Sequence, residues 1–353
     1  MGRSARKYTR KKSPWRSCTS GVWRIRKVLS NILKRRGKLS GQSILELVLL
    51  TLCVILAITA PGFFSTRNIL NIMRNVAMQG VIAFGMTMII ISGEIDLSVG
   101  SAVAFAGCLA ALLVRNLSSI GLPLGVAVAV ALVLTLLAGF GIGNFTALVR
   151  TQFNVPSFIT TLALMTILSG IANLMTGGFP ISSFPQWYNF FGGGYVLGIP
   201  FPAIVFVVVF FVIQFLMTQT TFGRAVYAVG GNEEAARLNG INVRFVKHMV
   251  IGITGALAAL SGIMVSAQIM SGTPTVAEGW ELQVISAVII GGTSLFGGAG
   301  RIWGTFIGVV FLGVIINGMT LLNISQYWQF VVRGVLILTA VLVNNIGAAQ
   351  QKT

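Results

Sequence analysis

Long apolar stretches separated by short polar ones run through almost the whole chain. A helix needs roughly 20 mostly apolar residues to cross the hydrocarbon core of a bilayer. Ten runs approach that length: 44–60, 76–92, 98–114, 122–148, 157–176, 200–217, 248–268, 283–296, 302–318 and 330–346. They predict an all-α polytopic membrane protein with about ten transmembrane helices. The fourth run is long enough for two segments. The eighth is short and flanked by glycine, as a broken or tilted segment would be.

The polar breaks give this map a direction. With the N-terminus in the cytoplasm, the segments 1–43, 93–97, 149–156, 218–247, 297–301 and 347–353 face inward. They hold 21 of the 25 basic residues, the bias expected of cytoplasmic loops. Without the N-terminal tail the bias keeps its sign, at seven against the four of Arg67, Arg74, Arg115 and Arg333. An even number of spans returns the C-terminus to the cytoplasm. The expected organisation is a basic tail (1–43), a transmembrane domain (44–346) containing a cytoplasmic loop (218–247), and a short cytoplasmic tail (347–353). The largest outer loop, from about Gly177 to Pro200, carries Pro180, Pro185, Trp187 and Tyr188. Its aromatic rings suit the membrane–water interface, either as a cap or as a landing surface for an extracytoplasmic partner.

Charge changes the picture mainly at the N-terminus. The formal net charge is +18, but 14 of the basic residues lie between Arg3 and Lys38. Residues 22–36 project as an amphipathic helix, with Val22, Ile25, Val28, Leu29, Ile32 and Leu33 on one face and Arg24, Lys27 and Lys34 on the other. Such a helix suits an anionic lipid surface. The alternative is a disordered topogenic tail. Nucleic acid is not an expected partner.

Composition agrees with the membrane class: 55% of residues are hydrophobic and 9% charged, against roughly 25% charged in a soluble domain. The cysteines (Cys18, Cys53, Cys108) have no metal or disulfide spacing, and the single histidine, His248, has no ligand neighbours. No metal site and no catalytic residues are expected.

Three constellations carry the remaining information. The first is 221–247. Asn232 has the chemistry of a helix N-cap, Glu233 and Glu234 follow in the first turn where the helix dipole favours negative charge, and Gly240 is a stop. Ala235 and Ala236 form a small-residue face, with Arg224, Arg237, Arg244 and Lys247 around it. A charged, capped short helix between two apolar spans is suited to a soluble partner; the plain alternative is an ordinary connector. The second is Ile91-Ser-Gly-Glu-Ile-Asp-Leu-Ser-Val-Gly-Ser101, which holds two of the seven acids. Either Glu94 and Asp96 sit in a cytoplasmic turn, with Asp96 capping the next helix, or they shape a gate together with Gly93, Ser98 and Gly100. The third is Ile290-Gly-Gly-Thr-Ser-Leu-Phe-Gly-Gly-Ala-Gly-Arg-Ile-Trp-Gly-Thr-Phe-Ile-Gly308. It lacks the Gly-Lys-Ser/Thr ending of a phosphate loop. Gly297, Gly298 and Gly300 allow a tight turn, and Gly304 and Gly308 form a face for close helix packing.

All three segments resemble bacterial ABC sugar permeases of the ribose, galactoside and arabinose type. Gly231-Asn-Glu-Glu-Ala-Ala-Arg-Leu-Asn-Gly240 is similar to that family's coupling segment. The Asp-Leu-Ser turn, the 290–308 glycines, Asn154-Val-Pro-Ser-Phe-Ile-Thr-Thr-Leu162 and Gln329-Phe-Val-Val-Arg-Gly334 extend the likeness from about Ser43 to Ile346; Glu94 stands where many members carry a neutral residue. The resemblance implies a type II-like ABC importer bundle in the bacterial inner membrane. Arg224, Gly231, Asn232, Glu233, Glu234, Ala235, Ala236 and Gly240 would form the ATPase-coupling element. It further implies a cytoplasmic ABC ATPase carrying ATP-Mg, a periplasmic sugar-binding protein, and a second permease subunit, identical or not. The chain itself would hold no cofactor and would not be an enzyme.

A sugar in transit needs groups to replace its water, since a buried unpaired hydroxyl costs several kcal/mol on transfer scales. Asn144, Thr161, Asn173, Gln268 and Asn317 are the in-span candidates, with Phe105, Phe158 and Trp303 as rings for stacking or gating. The competing reading is an ion-coupled secondary transporter, for which Asp96 would be the coupling acid. A faint likeness of Ile90-Ile-Ser-Gly93 to Ile289-Ile-Gly-Gly292 is the only hint of an internal repeat.

Overall fold

In the computed structural model, residues 41–350 are described. The amphipathic reading of 22–36 therefore lies outside the described residues. Thirteen α-helices follow one another: α1 (Gly41–Thr59), α2 (Thr66–Ile91), α3 (Val99–Ser119), α4 (Leu124–Phe153), α5 (Ser157–Thr176), α6 (Phe190–Gly193), α7 (Phe201–Gln219), α8 (Thr221–Gly231), α9 (Glu233–Leu238), α10 (Val243–Ile269), α11 (Trp280–Ile290), α12 (Ile302–Leu321) and α13 (Gln326–Gln350). A 3-10 turn (Gln186–Asn189) and a two-residue hairpin, β1 (Tyr195–Val196) and β2 (Ile199–Pro200), complete the described residues.

Each of the ten apolar runs falls on a helix. Seven helices (α2, α3, α4, α5, α7, α10 and α12) are long and apolar enough to cross a membrane, while the apolar stretches Leu45–Thr59 and Trp280–Ile290 are shorter. The fourth run is one unbroken helix of 30 residues, ended by Asn154 in the left-handed conformation just before Pro156. Two edges differ from expectation for physical reasons. Helix α2 starts at Thr66 rather than near 76, because its first turns are polar: Ser65 caps it by accepting from the Asn68 N–H, and Asn68 exchanges amide hydrogen bonds of 2.8–2.9 Å with Asn317 on α12. The eighth run covers a helix that stops at Ile290; its remaining residues are a glycine-rich turn.

Helix α2 is the axis of the bundle. Residues 76–91 are almost all buried. Phe84 stacks on Phe206 of α7 with ring centroids 5.0 Å apart, and Thr87 meets Thr305 of α12 at 2.6 Å. Helix α10 lies against α2, α3 and α4. It approaches α4 through glycine backbones: a methyl group at Gly255 or Gly143 would overlap carbonyl oxygens of the facing helix. The same close approach holds α12 to α11, where a methyl at Gly308 would overlap the Ala287 carbonyl. Association of apolar helices in lipid relies on van der Waals contact, so small residues at these crossings are where packing is gained.

The 177–200 segment closes the end opposite α9. It is anchored by Tyr188, whose buried hydroxyl meets Ser266 at 3.0 Å and the Ile263 carbonyl at 3.2 Å on α10. Leu197, in the hairpin turn, is 99% exposed.

Candidate functional site: helix α9, the junction beneath it and a polar cavity

Helix α9 forms where the sequence predicts a capped element. Asn232 accepts a hydrogen bond of 2.9 Å from the Ala235 N–H, satisfying one of the unpaired donors of the first turn. At the other end Gly240 takes a positive φ, and its N–H and that of Ile241 return to the carbonyls of Arg237 and Ala236. Glu233, Glu234, Ala235, Arg237 and Leu238 are exposed, and Ala236 alone is buried. Arg224 and Gly231, on α8, are exposed as well. Glu234 pairs with Arg237 at 2.6 Å, and this carboxylate raises the guanidinium above its ordinary value.

Below α9, the three constellations of the sequence meet. The backbone N–H of Gly298 donates to the Ile91 carbonyl at 2.8 Å, and Tyr227 of α8 donates to the Gly300 carbonyl at 2.9 Å. Gly230 sits so close to the end of α2 that a methyl group there would overlap the Ile91 oxygen. Thus α8, the turn after α2 and the turn after α11 form one junction of backbone on backbone.

A chain of charges crosses this junction. The Lys247 ammonium, on the first turns of α10, lies 2.7 Å from Glu94 and 2.7 Å from Glu233. Arg150, near the end of α4, reaches Glu94 at 3.0 Å. Lys247 and Glu94 are 2% and 4% exposed, whereas Glu233 is 54% exposed. Burial pushes the Glu94 carboxyl upward, but the Lys247 hydrogen bond and charge, the Ser157 hydrogen bond and the Arg150 charge outweigh it and hold Glu94 below the usual carboxylate range. Buried charges need such partners. The rest of the turn is held from α5: Ser157 accepts from the Ile95 N–H and Thr161 from the Leu97 N–H, each at 3.1 Å. The expected capping role of Asp96 is corrected by two positions: Ser98 occupies the N-cap of α3, and Asp96 accepts from the Ser98 N–H at 2.7 Å and its hydroxyl at 2.6 Å. Burial raises the Asp96 carboxyl, with Ser98 opposing.

The polar path candidates are spread over several helix contacts. Asn144 faces His248 at 3.2 Å, Thr161 props the turn just described, Asn173 donates to the Ser169 carbonyl, and Asn317 pairs with Asn68. Gln268 packs by its backbone against Gly192. Of the rings, Trp303 stacks on Phe306 with centroids 5.4 Å apart and donates to Glu46 at 3.0 Å, and Phe158 is exposed. A cavity of about 280 Å³ lies elsewhere, between α3, α5 and the segment 274–281. Gly100, Ser101, Thr166, Ser169, Thr275, Glu278 and Glu281 line it, and none of the five path candidates does. Among the described residues no cluster of His, Cys, Asp or Glu could hold a metal ion.

Residues 68–341 match the family model described as a permease component of branched-chain amino acid transport systems. The chain belongs to this permease family. It is 43% identical over 298 residues to the ribose import permease protein RbsC of Bacillus subtilis (strain 168), covering 84% of this chain and 90% of that one. It is 41% identical to RbsC of Escherichia coli (strain K12), covering 85% and 92%. It is 36% identical to the L-arabinose ABC transporter permease protein AraH of Azospirillum brasilense, covering 89% and 91%. No solved structure matches. As a permease component with seven apolar helices of spanning length, the protein is a multi-pass membrane protein.

In this permease the sequence reading passed over two features. The pairing of Lys247 with both Glu94 and Glu233 joins residues far apart in the chain, and only the requirement that a buried acid have a partner pointed to it. Glu278 and Glu281 stand immediately before an apolar run. Two of the chain's seven carboxylates, three residues apart at the edge of a short run, were the available signal.

Proposed function

We propose that the chain is the membrane-spanning subunit of an ATP-binding cassette importer for a simple sugar, placed in the bacterial inner membrane with both termini in the cytoplasm. The sugar reading rests on the ribose and arabinose permeases to which nearly the whole chain is similar. The observation that carries the coupling role is geometric. Helix α9 presents Glu234, Ala235, Arg237 and Leu238 outward, while its remaining carboxylate, Glu233, is gripped by buried Lys247.

In this reading α9 docks on a partner ATPase, which binds ATP-Mg and hydrolyses it. Closure of the ATPase pair displaces α9. Glu233 and Lys247 pass the displacement to Glu94 and hence to the turn between α2 and α3, while the glycine junction carries it through α8 to the turn after α11. The permease pair then opens toward a periplasmic binding protein that delivers the sugar, and release of the hydrolysis products returns it. Partner contacts that differ between the two states bias the equilibrium.

Charge reversal at Glu234 tests this. Glu234→Lys breaks a solvent-exposed pair with Arg237 that contributes little to stability, so the protein inserts normally. Co-purification of the ATPase and ATP-dependent uptake both fall at least tenfold. Uptake that persists without any ATPase and follows an ion gradient would instead establish the secondary-transporter reading.

A further inference from the structure

After α10 ends at Ile269 the chain does not cross as a regular helix. Met270 and Ala277 both have positive φ, Gly272 forms an antiparallel bridge with Ile181, and helix resumes only at Trp280. Non-helical backbone at membrane depth is tolerated where it is enclosed by protein or lines a polar cavity, and here Pro274–Gly279 forms one wall of the cavity described above. Glu281 precedes the end of α11 by nine residues. At 1.5 Å of rise per residue it stands roughly 14 Å from the junction under α9, about half-way through a ~30 Å hydrocarbon core. A carboxylate at that depth calls for a function. The opposing wall makes room for it: a methyl group at Gly100 would overlap the Glu281 carboxylate.

The lining is rich in acceptors. Glu278 and Glu281 are carboxylates. The hydroxyls of Ser101 and Thr166 donate to their own helix backbone, to Ser98 and Ala163, each at 2.8 Å, which leaves their oxygens as acceptors. Ser169 and Thr275 add two more hydroxyls, and no Lys, Arg or His lines the space. A solute with several hydroxyl donors matches this wall. The carboxylate of a free amino acid does not: it would face two like charges and no cation.

Resting on the sugar reading above, we infer that this cavity is a transit subsite for a neutral polyhydroxylated solute, in which Glu281, supported by Ser169 and Thr166, accepts hydrogen bonds from the solute's hydroxyls. A hydrogen bond to a charged acceptor is among the stronger ones, so its loss is visible in transport.

The experiment uses the complete transporter, permease with its ATPase and binding protein, in proteoliposomes. Labelled D-ribose, L-arabinose, D-xylose and L-leucine are the probes, with 2-deoxy-D-ribose as the analogue lacking a donor. Sugar moved per ATP hydrolysed falls about tenfold in Glu281→Ala and by less in Glu281→Gln, which keeps an acceptor. Discrimination between ribose and its deoxy analogue narrows in both; the binding protein is common to all samples, so the change belongs to the permease. Wild-type stoichiometry and discrimination in Glu281→Ala overturn the subsite while leaving the sugar reading intact. If Glu281→Ala does not assemble, Ser169→Ala and Thr166→Val decide in its place: reduced coupling supports the subsite and wild-type behaviour overturns it. Accumulation of leucine and none of the sugars by the wild type overturns both readings.

Discussion

Lys247 shows how one side chain can be placed by several others. It is 2% exposed and touches two carboxylates of different fate, one buried and one largely in solvent. Removing one partner of a buried ion pair costs about 3–5 kcal/mol, mostly because a charge is left without compensation, whereas replacing both partners with apolar groups is often nearly neutral. Lys247→Met therefore leaves Glu94 with Arg150 alone and lowers the thermal midpoint of the purified permease by several degrees. Glu233→Gln changes it little, since solvent already shares that carboxylate. The double variant Lys247→Met/Glu94→Gln recovers much of the loss. Thermal unfolding followed by tryptophan fluorescence measures all three, and a Glu233→Gln penalty equal to that of Lys247→Met would contradict the assignment of Glu94 as the buried partner. The acids themselves were readable in the sequence because charge is scarce in this chain. Their partners were not, because Glu94, Arg150 and Lys247 lie on separate elements and hydropathy carries no information about which loops meet.

Helices were the most legible level, for a plain reason: sustained apolar length is a strong signal in a membrane protein. Helix α9 was legible too, since Asn232 and Gly240 each carry a local mechanism for starting and stopping a helix. The edges failed where polarity and helicity part company, at the polar first turns of α2 and in the apolar turn that follows α11. The likeness between residues 90–93 and 289–292 has a physical counterpart at this scale. Both helices end on a glycine with φ near +85°: at Gly93 and Gly292 the values are 82° and 88°, and each N–H returns to the isoleucine carbonyl three residues earlier, at 3.0 and 2.9 Å. These two caps and α8 make the junction, and Gly230 is its tightest point. Gly230→Ala inserts a methyl into the space held by the Ile91 carbonyl, so α8 must back away from α2. The expected result is a permease that still retains its ATPase through α9 but transports several-fold more slowly, read by co-purification and uptake from one preparation. Full uptake with normal assembly would mean that the junction does not transmit motion.

At the scale of the whole molecule, the proposed importer needs force and delivery to arrive from opposite sides. Helix α9 and the β1–β2 hairpin each carry strongly exposed side chains, Glu234 and Leu197, and the helix of spanning length between them in the chain is α7, Phe201–Gln219. If α7 crosses, Glu234 and Leu197 lie on different faces of the membrane, and the four basic residues of 218–247 assign the α9 face to the cytoplasm. Single cysteines test this directly once Cys18, Cys53 and Cys108 are replaced by serine. Leu197 is 99% exposed and Glu234 is 64% exposed, so both positions are accessible to a reagent on their own side. Leu197→Cys reacts with a membrane-impermeant maleimide in intact cells, and Glu234→Cys reacts only after the membrane is opened. Labelling of both from the same side would remove α7 as a crossing. An ATPase bound at α9 would then have no helix through which to work on the face where a binding protein releases its sugar. The reverse pattern would keep the crossing but put α9 out of reach of ATP, which is available only on the cytoplasmic side, and the importer reading would fail on topology alone.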